Sequence, residues 1–240
     1  MKLMIKLFLA LFAFCIFYLL INHDKIEKIT NNSITNNVTK HDLIKINGVP
    51  LIQQYPLLPN GCEAVSSTMV LQYYGFEITE EEFVNDYLSM KPLYYENGIL
   101  CGPDPAQAYA GNPFSTTEGL GCYAPVITKA LENASDNHWK VENISGSSLD
   151  DLRIWLQKDI PVILWATIEM QDIESYIQLY NNGKYIEYPT QEHCLVFIGM
   201  DEEFCYFNDP LNGKEVSYKK EQVLKCYNAL QKQAVVMYSI

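Results

Sequence analysis

The pattern of hydrophobic and polar positions divides the 240-residue chain into three parts. Residues 7–21 form an uninterrupted apolar run behind two lysines, which is typical of a signal-peptide core or a single-pass anchor. Because no Ala-x-Ala cleavage site follows, residues 1–22 are predicted to be an uncleaved anchor, with the rest exported, or secreted if the segment is cleaved. Residues 23–42 are polar and without periodicity, as in a linker. The folded domain is expected over residues 43–240.

Within this domain, helical patterns come first and strand patterns follow. The predicted helices run from Cys62 towards Gly75, from a capping box at Thr79–Glu82 into 83–88, and over 125–133, 149–158 and 221–230. The predicted strands cover 161–168, 194–200, 204–207, 215–218 and 234–238. Residues 91–124, rich in glycine, proline and aromatic residues, predict a structured loop lining a cleft, and residues 169–190 a partly helical connection. This order predicts an α+β fold, with a helical part packed on a C-terminal antiparallel sheet.

The charge balance argues against nucleic-acid binding. The formal net charge is −12, and Arg153 is the single arginine of the chain. A nucleic-acid-binding surface needs clustered lysine and arginine to neutralise phosphates. The acidic balance instead favours neutral or basic partners.

The cysteine pattern leaves the redox state open. The chain has seven cysteines, with Cys15 inside the apolar run, and no two of them have the CxxC spacing of thioredoxin-like or zinc-ribbon sites. In an exported protein the other six could form disulfides, for example Cys101 with Cys122 or Cys194 with Cys205. The sequence does not choose between these pairs and free thiols.

Cys62 stands where a cysteine can become a nucleophile. It follows a proline-punctuated loop and a glycine, and a helical pattern begins directly behind it. Unpaired N–H groups and the positive end of the helix dipole favour thiolate over thiol at such a position. The alternative is a small buried residue at a turn, which is common for free cysteine.

A base and its orienting acid follow from the C-terminal hairpin. A turn centred at Asp201–Glu202 places His193 opposite Asp209 on neighbouring antiparallel strands. A carboxylate beside an imidazole fixes the tautomer and supports the imidazolium. The other histidines are poorer candidates, because His23 and His41 flank the linker and His138 lies in a polar stretch.

Two further expectations concern the oxyanion and metals. An oxyanion hole needs a backbone N–H, for which Cys62 is suited, and a side-chain donor, for which Gln53 and Gln54 are both available upstream. No metal site is expected from His193 and Cys194, since adjacent residues point to opposite faces of a strand. No cofactor is predicted.

Several segments resemble the C39-like cysteine peptidases of bacteria, in family order over residues 43–240. The segments are Gln54-Tyr55-Pro56-Leu57-Leu58-Pro59-Asn60-Gly61-Cys62-Glu63-Ala64, the loop from Gly102-Pro103-Asp104-Pro105 to Gly119-Leu120-Gly121, Pro161-Val162-Ile163, His193, Gly199, Asn208-Asp209-Pro210 and Gln233-Ala234-Val235-Val236.

The resemblance implies a papain-like fold and a role for each candidate residue. Cys62 would be the nucleophile, His193 the base, Asp209 the orienter and Gln54 the oxyanion donor. In papain the third residue is Asn, which keeps Asn208 as a second claimant. Some members trim double-glycine leaders while fused to a transporter. No transporter or ATP-binding segment occurs here, so that role is not expected to carry over.

The leading hypothesis is therefore an exported, membrane-anchored cysteine peptidase that acts on peptide or protein substrates. One alternative is a catalytically silent surface-binding module on the same scaffold. Another is a transpeptidase or amidase on the same fold.

Overall fold

The computed structural model describes residues 43–240. The predicted membrane segment and linker, residues 1–42, lie outside the described residues. Among residues 43–240, no helix is both long enough and apolar enough to cross a membrane.

Residues 43–240 contain both helices and strands along their whole length. The helices are α1 (Cys62–Tyr73), α2 (Glu80–Glu82), α3 (Ala124–Ala134), α4 (Leu149–Leu156) and α5 (Lys220–Ala229), and α2 continues into a π-helical turn at Phe83–Tyr87. The strands are β1 (Ile44–Lys45), β2 (Met90–Lys91), β3 (Tyr94–Glu96), β4 (Ile99–Cys101), β5 (Tyr109–Gly111), β6 (Gly119–Gly121), β7 (Trp139–Asn143), β8 (Val162–Thr167), β9 (Tyr176–Asn181), β10 (Lys184–Pro189), β11 (Glu192–Met200), β12 (Phe204–Asp209), β13 (Lys214–Lys219) and β14 (Ala234–Ser239). The predicted capping box of Thr79 and Glu82 is confirmed, with both reciprocal hydrogen bonds present.

The main sheet carries the core and one wall of the candidate site. Its strand order is β13-β12-β11-β8-β14-β7, with the short β1 added to β11, and every pairing is antiparallel. Every residue of β8 and β11 is buried, because helices and loops cover both faces of these central strands. The predicted α+β arrangement with an antiparallel sheet is confirmed.

The predictions for residues 91–124 and 169–190 need correction, because together the two segments contribute strands to two smaller sheets. Residues 91–124 are not one loop: they contribute β3 to β6, which join sheets of order β10-β9-β4-β3 and β2-β5-β6. The segment 169–190 is not helical beyond a 3-10 turn at Ile168–Met170, and it forms the hairpin β9–β10. Asn182 and Gly183 at the hairpin turn both have positive φ, the backbone that a tight Asn-Gly turn requires.

Helix α1 is enclosed rather than amphipathic. Every residue from Cys62 to Leu71 is buried, so the helix has no solvent-facing stripe. It packs on β11, and the Ser66 hydroxyl donates a hydrogen bond of 3.2 Å to the Cys194 carbonyl oxygen. A helix surrounded in this way is held in register by contacts on every side.

Candidate active site

Cys62 is the first residue of α1 and follows a tightly built loop. A Cβ on Gly61 would stand 2.6 Å from the Leu58 Cβ, so only glycine fits before the cysteine. The hydroxyl of the buried Tyr109 donates a hydrogen bond to the Asn60 carbonyl oxygen and fixes the same loop. The loop therefore presents the Cys62 side chain, 7% exposed, to a cavity that opens to the solvent.

His193 and Asp209 form a buried hydrogen-bonded pair. The distance from His193 Nε2 to Asp209 Oδ1 is 2.8 Å, and the two residues are 2% and 0% exposed. Burial raises the pKa of Asp209, but the hydrogen bond from His193 and bonds from the Leu211 N–H and the Asn212 amide bring this pKa below its ordinary value. A carboxylate only accepts, so Nε2 carries the proton and the lone pair of the neutral ring lies on Nδ1.

The strand register that joins this pair differs from the predicted one. Val196 pairs with Asn208 and Phe197 with Phe207, so the register continues to Asp209 opposite Leu195, and not opposite His193. The turn is centred between Glu202 and Glu203, one residue later than predicted, and a bulge lies between Phe197 and Gly199. A shift of two residues keeps the same face, and diagonal neighbours about 7–8 Å apart remain within reach of long side chains.

Asn208, the second claimant for the role of orienter, points elsewhere. Its side-chain amide donates to the carbonyl oxygens of Val49 and Pro50, at 3.0 Å each. Asp209, and not Asn208, is therefore the residue that is hydrogen-bonded to His193.

Gln54 is buried at the cavity wall, whereas Gln53 is exposed. The backbone N–H of Gln54 donates to the Pro210 carbonyl oxygen at 2.8 Å, which ties its loop to the residue after Asp209. Its side-chain Nε2 donates to the Pro59 carbonyl oxygen at 2.7 Å. A primary amide has two N–H groups, so one donor is left beyond this bond.

One cavity of about 230 Å³ brings three of the four predicted residues together. Its lining residues are Gln54, Tyr55, Pro59, Asn60, Cys62, Gly119, Leu120, Ile168, Ile177, Tyr188, Pro189, Thr190, Glu192, His193 and Leu211. Asp209 stands behind His193. A larger cavity of about 470 Å³ lies beside Met90 and Phe114 and contains none of these four residues, so size alone does not identify the site.

A model of the Peptidase_C39 like family matches residues 46–235, most of the described chain. This chain belongs to the C39-like peptidase family. Its fold and family make it a cysteine-peptidase-like protein. The protein YvpB of Bacillus subtilis (strain 168), which is uncharacterized, is 30% identical over 183 residues, 76% of this chain and 70% of YvpB.

A solved structure shows the same fold. A protein of Bacillus anthracis described as a C39-like peptidase superposes with a TM-score of 0.73 at 24% identity, covering 83% of this chain and 98% of that one. The peptidase domain of Streptococcus ComA, a bi-functional ABC transporter involved in quorum sensing, gives a TM-score of 0.41 at 12% identity, over 80% and 97% of the two chains.

Two buried carboxylates adjoin the thiol of this C39-like protein, and neither was predicted from the sequence. The Cys62 thiol donates to Glu63 Oε2 at 3.4 Å, and the Cys122 N–H donates to Glu63 Oε1 at 2.6 Å. Tyr188 donates its hydroxyl hydrogen to Glu192 Oε2 at 2.8 Å. The available signal was adjacency, because Glu63 follows the predicted nucleophile and Glu192 precedes the predicted base.

These carboxylates oppose the expected activation of the thiol. Burial first, and then the negative charges of Glu63 and Glu192, raise the pKa of Cys62 well above its ordinary value. Burial also raises the pKa of Glu63 to about 7, and burial together with Glu63 raises the pKa of Glu192. The helix start alone predicted a thiolate, but in this environment the resting state is the neutral thiol.

The six cysteines within residues 43–240 are free thiols. Neither of the two disulfides considered from the sequence, Cys101–Cys122 and Cys194–Cys205, is formed. Of the six cysteine residues, Cys62 has the largest exposed fraction, and it lines the cavity that holds His193.

We predict that a small alkylating reagent modifies Cys62 before the other thiols of residues 43–240, at a rate that rises with pH. The rate should show no plateau below pH 7, because only the thiolate reacts and its pKa is raised. Mass spectrometry of the Cys62 peptide, after timed labelling of the full reduced chain, measures this rate. Equal labelling of all thiols, or a plateau in the acidic range, would contradict the prediction.

The variant Glu63→Gln separates the effect of the Glu63 charge on the pKa of Cys62 from the effect of burial. Glu63 is mostly neutral at pH 6 and mostly ionised at pH 8, given a pKa of about 7. The variant should therefore label like wild type at pH 6 and faster than wild type at pH 8. Glu202→Gln, at an exposed position of the β11–β12 turn, is the matched control and should follow wild type at both pH values.

Proposed function

We propose that this protein is a thiol hydrolase that cleaves peptide bonds, with Cys62 as nucleophile, His193 as base and Asp209 as the residue that orients His193. One observation carries the proposal. The nucleophile, the base and a buried amide donor line a single cavity, and the base is hydrogen-bonded to a buried carboxylate on its far side. This is the nucleophile, base and orienter relationship that covalent catalysis requires.

In the proposed reaction, His193 removes the thiol proton as Cys62 attacks the substrate carbonyl. The raised thiol pKa makes this general-base step, rather than a preformed thiolate, the route to the nucleophile. The oxygen of the tetrahedral intermediate accepts hydrogen bonds from the Cys62 N–H and the Gln54 amide. His193 then protonates the leaving amine, and water hydrolyses the thioester with His193 again acting as base.

The cavity wall suggests the substrate class. Leu120, Ile177 and Leu211 contribute apolar side chains to the cavity that also holds the Cys62 thiol. A peptide with apolar side chains next to the scissile bond fits this lining.

A catalytically silent binding module is the second candidate. The thiol donates its hydrogen bond to Glu63, and its pKa is raised, which suits a resting, unreactive cysteine. In that case a peptide would bind equally well to wild type and to Cys62→Ala, and neither would cleave it. A transpeptidase or amidase would instead be recognised by its products, as transfer to an added amine or release from a non-peptide amide.

We expect Gln54→Ala to lower kcat by about 100- to 1,000-fold, the loss typical of one oxyanion-hole donor. Cys62→Ala should abolish cleavage. The neighbouring Gln53 is the matched control, because it is exposed and its change to Ala removes the same functional group outside the cavity. Cleavage of a quenched fluorescent peptide library, followed by mass spectrometry of the products, provides the rates. If Gln53→Ala lost as much kcat as Gln54→Ala, the proposed oxyanion donor would be wrong.

The proposal also places the domain outside the cytoplasm, anchored to the membrane through residues 1–22. The apolar run behind two lysines supports this orientation. In cells that express the full chain, the protein should sediment with membranes, and protease added to intact protoplasts should digest residues 43–240. Deletion of residues 1–22 should move the protein out of the membrane fraction. Protection from the added protease, or an unchanged soluble distribution of both forms, would refute the proposed location.

A further inference from the structure

We propose that Cys62, Glu63 and Glu192 form a binding site for a divalent cation of the zinc type, which blocks the nucleophile when it binds. The site itself does not depend on the proposed peptidase function. Only the inhibition that follows from binding rests on that function.

The spacing of the three side chains fits one metal ion. A ligand atom from each, namely the Cys62 sulfur and one carboxylate oxygen each from Glu63 and Glu192, lies within 4.8 Å of the other two. Atoms bound to one zinc ion at about 2.0–2.3 Å cannot be more than about 4.6 Å apart, so small side-chain adjustments suffice. All three residues are buried, and Cys62 and Glu192 face the cavity, which supplies a path of entry.

In each carboxylate, one oxygen accepts a hydrogen bond from a donor outside the cluster, and the other oxygen does not. For Glu63, the Cys122 N–H holds Oε1, and Oε2 faces the thiol. For Glu192, the Tyr188 hydroxyl holds Oε2, and Oε1 has no hydrogen-bond partner although the residue is only 8% exposed. Outer donors that fix one oxygen and leave the other free are the usual support of metal-binding carboxylates.

A shared proton explains the arrangement less well. Two carboxyl groups that share a proton are joined by a short hydrogen bond, but Glu192 Oε1 is unpartnered and Oε2 is occupied by Tyr188. The donors to both carboxylates are neutral groups, namely an N–H, a thiol and a hydroxyl. A cation between the two carboxyl groups would satisfy Glu192 Oε1 and would stabilise both groups in their ionised form.

The neighbouring Gly121 leaves room for this cluster. A Cβ at this position would stand 2.1 Å from the Tyr188 hydroxyl oxygen and 2.5 Å from Glu63 Oε1. The backbone of β6 therefore approaches the carboxylates as closely as only glycine allows.

The ligand set selects the metal. A thiolate with two carboxylates suits Zn²⁺, whereas Mg²⁺ and Ca²⁺ prefer oxygen ligands throughout. When Zn²⁺ binds, the Cys62 S–H bond breaks, the sulfur forms a bond to the metal, and the proton passes to the solvent. The sulfur lone pair needed for attack on a carbonyl is then held by the metal.

Direct titration of the full reduced chain with Zn²⁺, in a phosphine reductant without chelator, tests the site. Calorimetry should show one saturable event that releases a proton and is lost in Cys62→Ser. Glu192→Gln, which keeps an acceptor for Tyr188, should bind Zn²⁺ at least 10-fold more weakly, and Tyr188→Phe about 10-fold more weakly, as for other outer-shell partners. Glu202→Gln should bind as wild type does.

Substitution of Co²⁺ gives a readout that does not require activity. The Co²⁺-loaded protein should show a thiolate-to-metal charge-transfer band that is absent in Cys62→Ser. Absence of saturable binding, or a band that is unaffected by Glu192→Gln but lost in His193→Ala, would overturn the proposal, because the latter result indicates a Cys–His site without the carboxylates. If binding is confirmed and no peptide is cleaved by the metal-free protein, the cation site stands and the peptidase proposal fails.

Discussion

The structure depends on the packing of α1 against β11. Every side chain from Cys62 to Leu71 is buried, and the Ser66 hydroxyl bonds to the Cys194 carbonyl oxygen, beside His193. These contacts fix the rotation of α1 about its axis and its position along that axis. The first turn of α1 therefore lies against the start of β11. A slip of one turn, about 5.4 Å, would remove the thiol from the cavity. The relation between Cys62 and His193 is therefore a consequence of core packing rather than of a direct bond.

The same burial sets the chemistry of the thiol. The N–H groups of a helix start favour a thiolate, but a low-dielectric site with two carboxylates disfavours it more strongly. The outcome is a neutral resting thiol, and the proposed attack on a carbonyl therefore needs a base. The two carboxylates that raise the pKa of the Cys62 thiol are also the groups that would bind a cation. One cluster therefore accounts for both the neutral resting thiol and the proposed inhibition.

The sequence predicted those features of the candidate site that depend on the position of a reactive residue within its own helix or strand. The helix start at Cys62 and the common face of His193 and Asp209 were predictable, because parity along a strand survives an even register shift. The exact register of β11 and β12 was not predictable, because the hydrophobic pattern does not indicate the bulge after Phe197. The Asn182-Gly183 sequence indicates the turn of the β9–β10 hairpin. The polar composition of residues 169–190 instead favoured a partly helical connection. Burial of Glu63 and Glu192 was invisible, because acidic residues are expected at the surface.

The most direct test of the proposed active site is a crystal structure of the full chain after reaction with a peptide aldehyde, which forms a tetrahedral adduct with a nucleophilic thiol. We predict a covalent bond to Cys62 Sγ, with the adduct oxygen within hydrogen-bonding distance of the Cys62 N–H and Gln54 Nε2. His193 should still be hydrogen-bonded to Asp209. An adduct on another cysteine, or an adduct oxygen directed away from Gln54, would contradict this prediction.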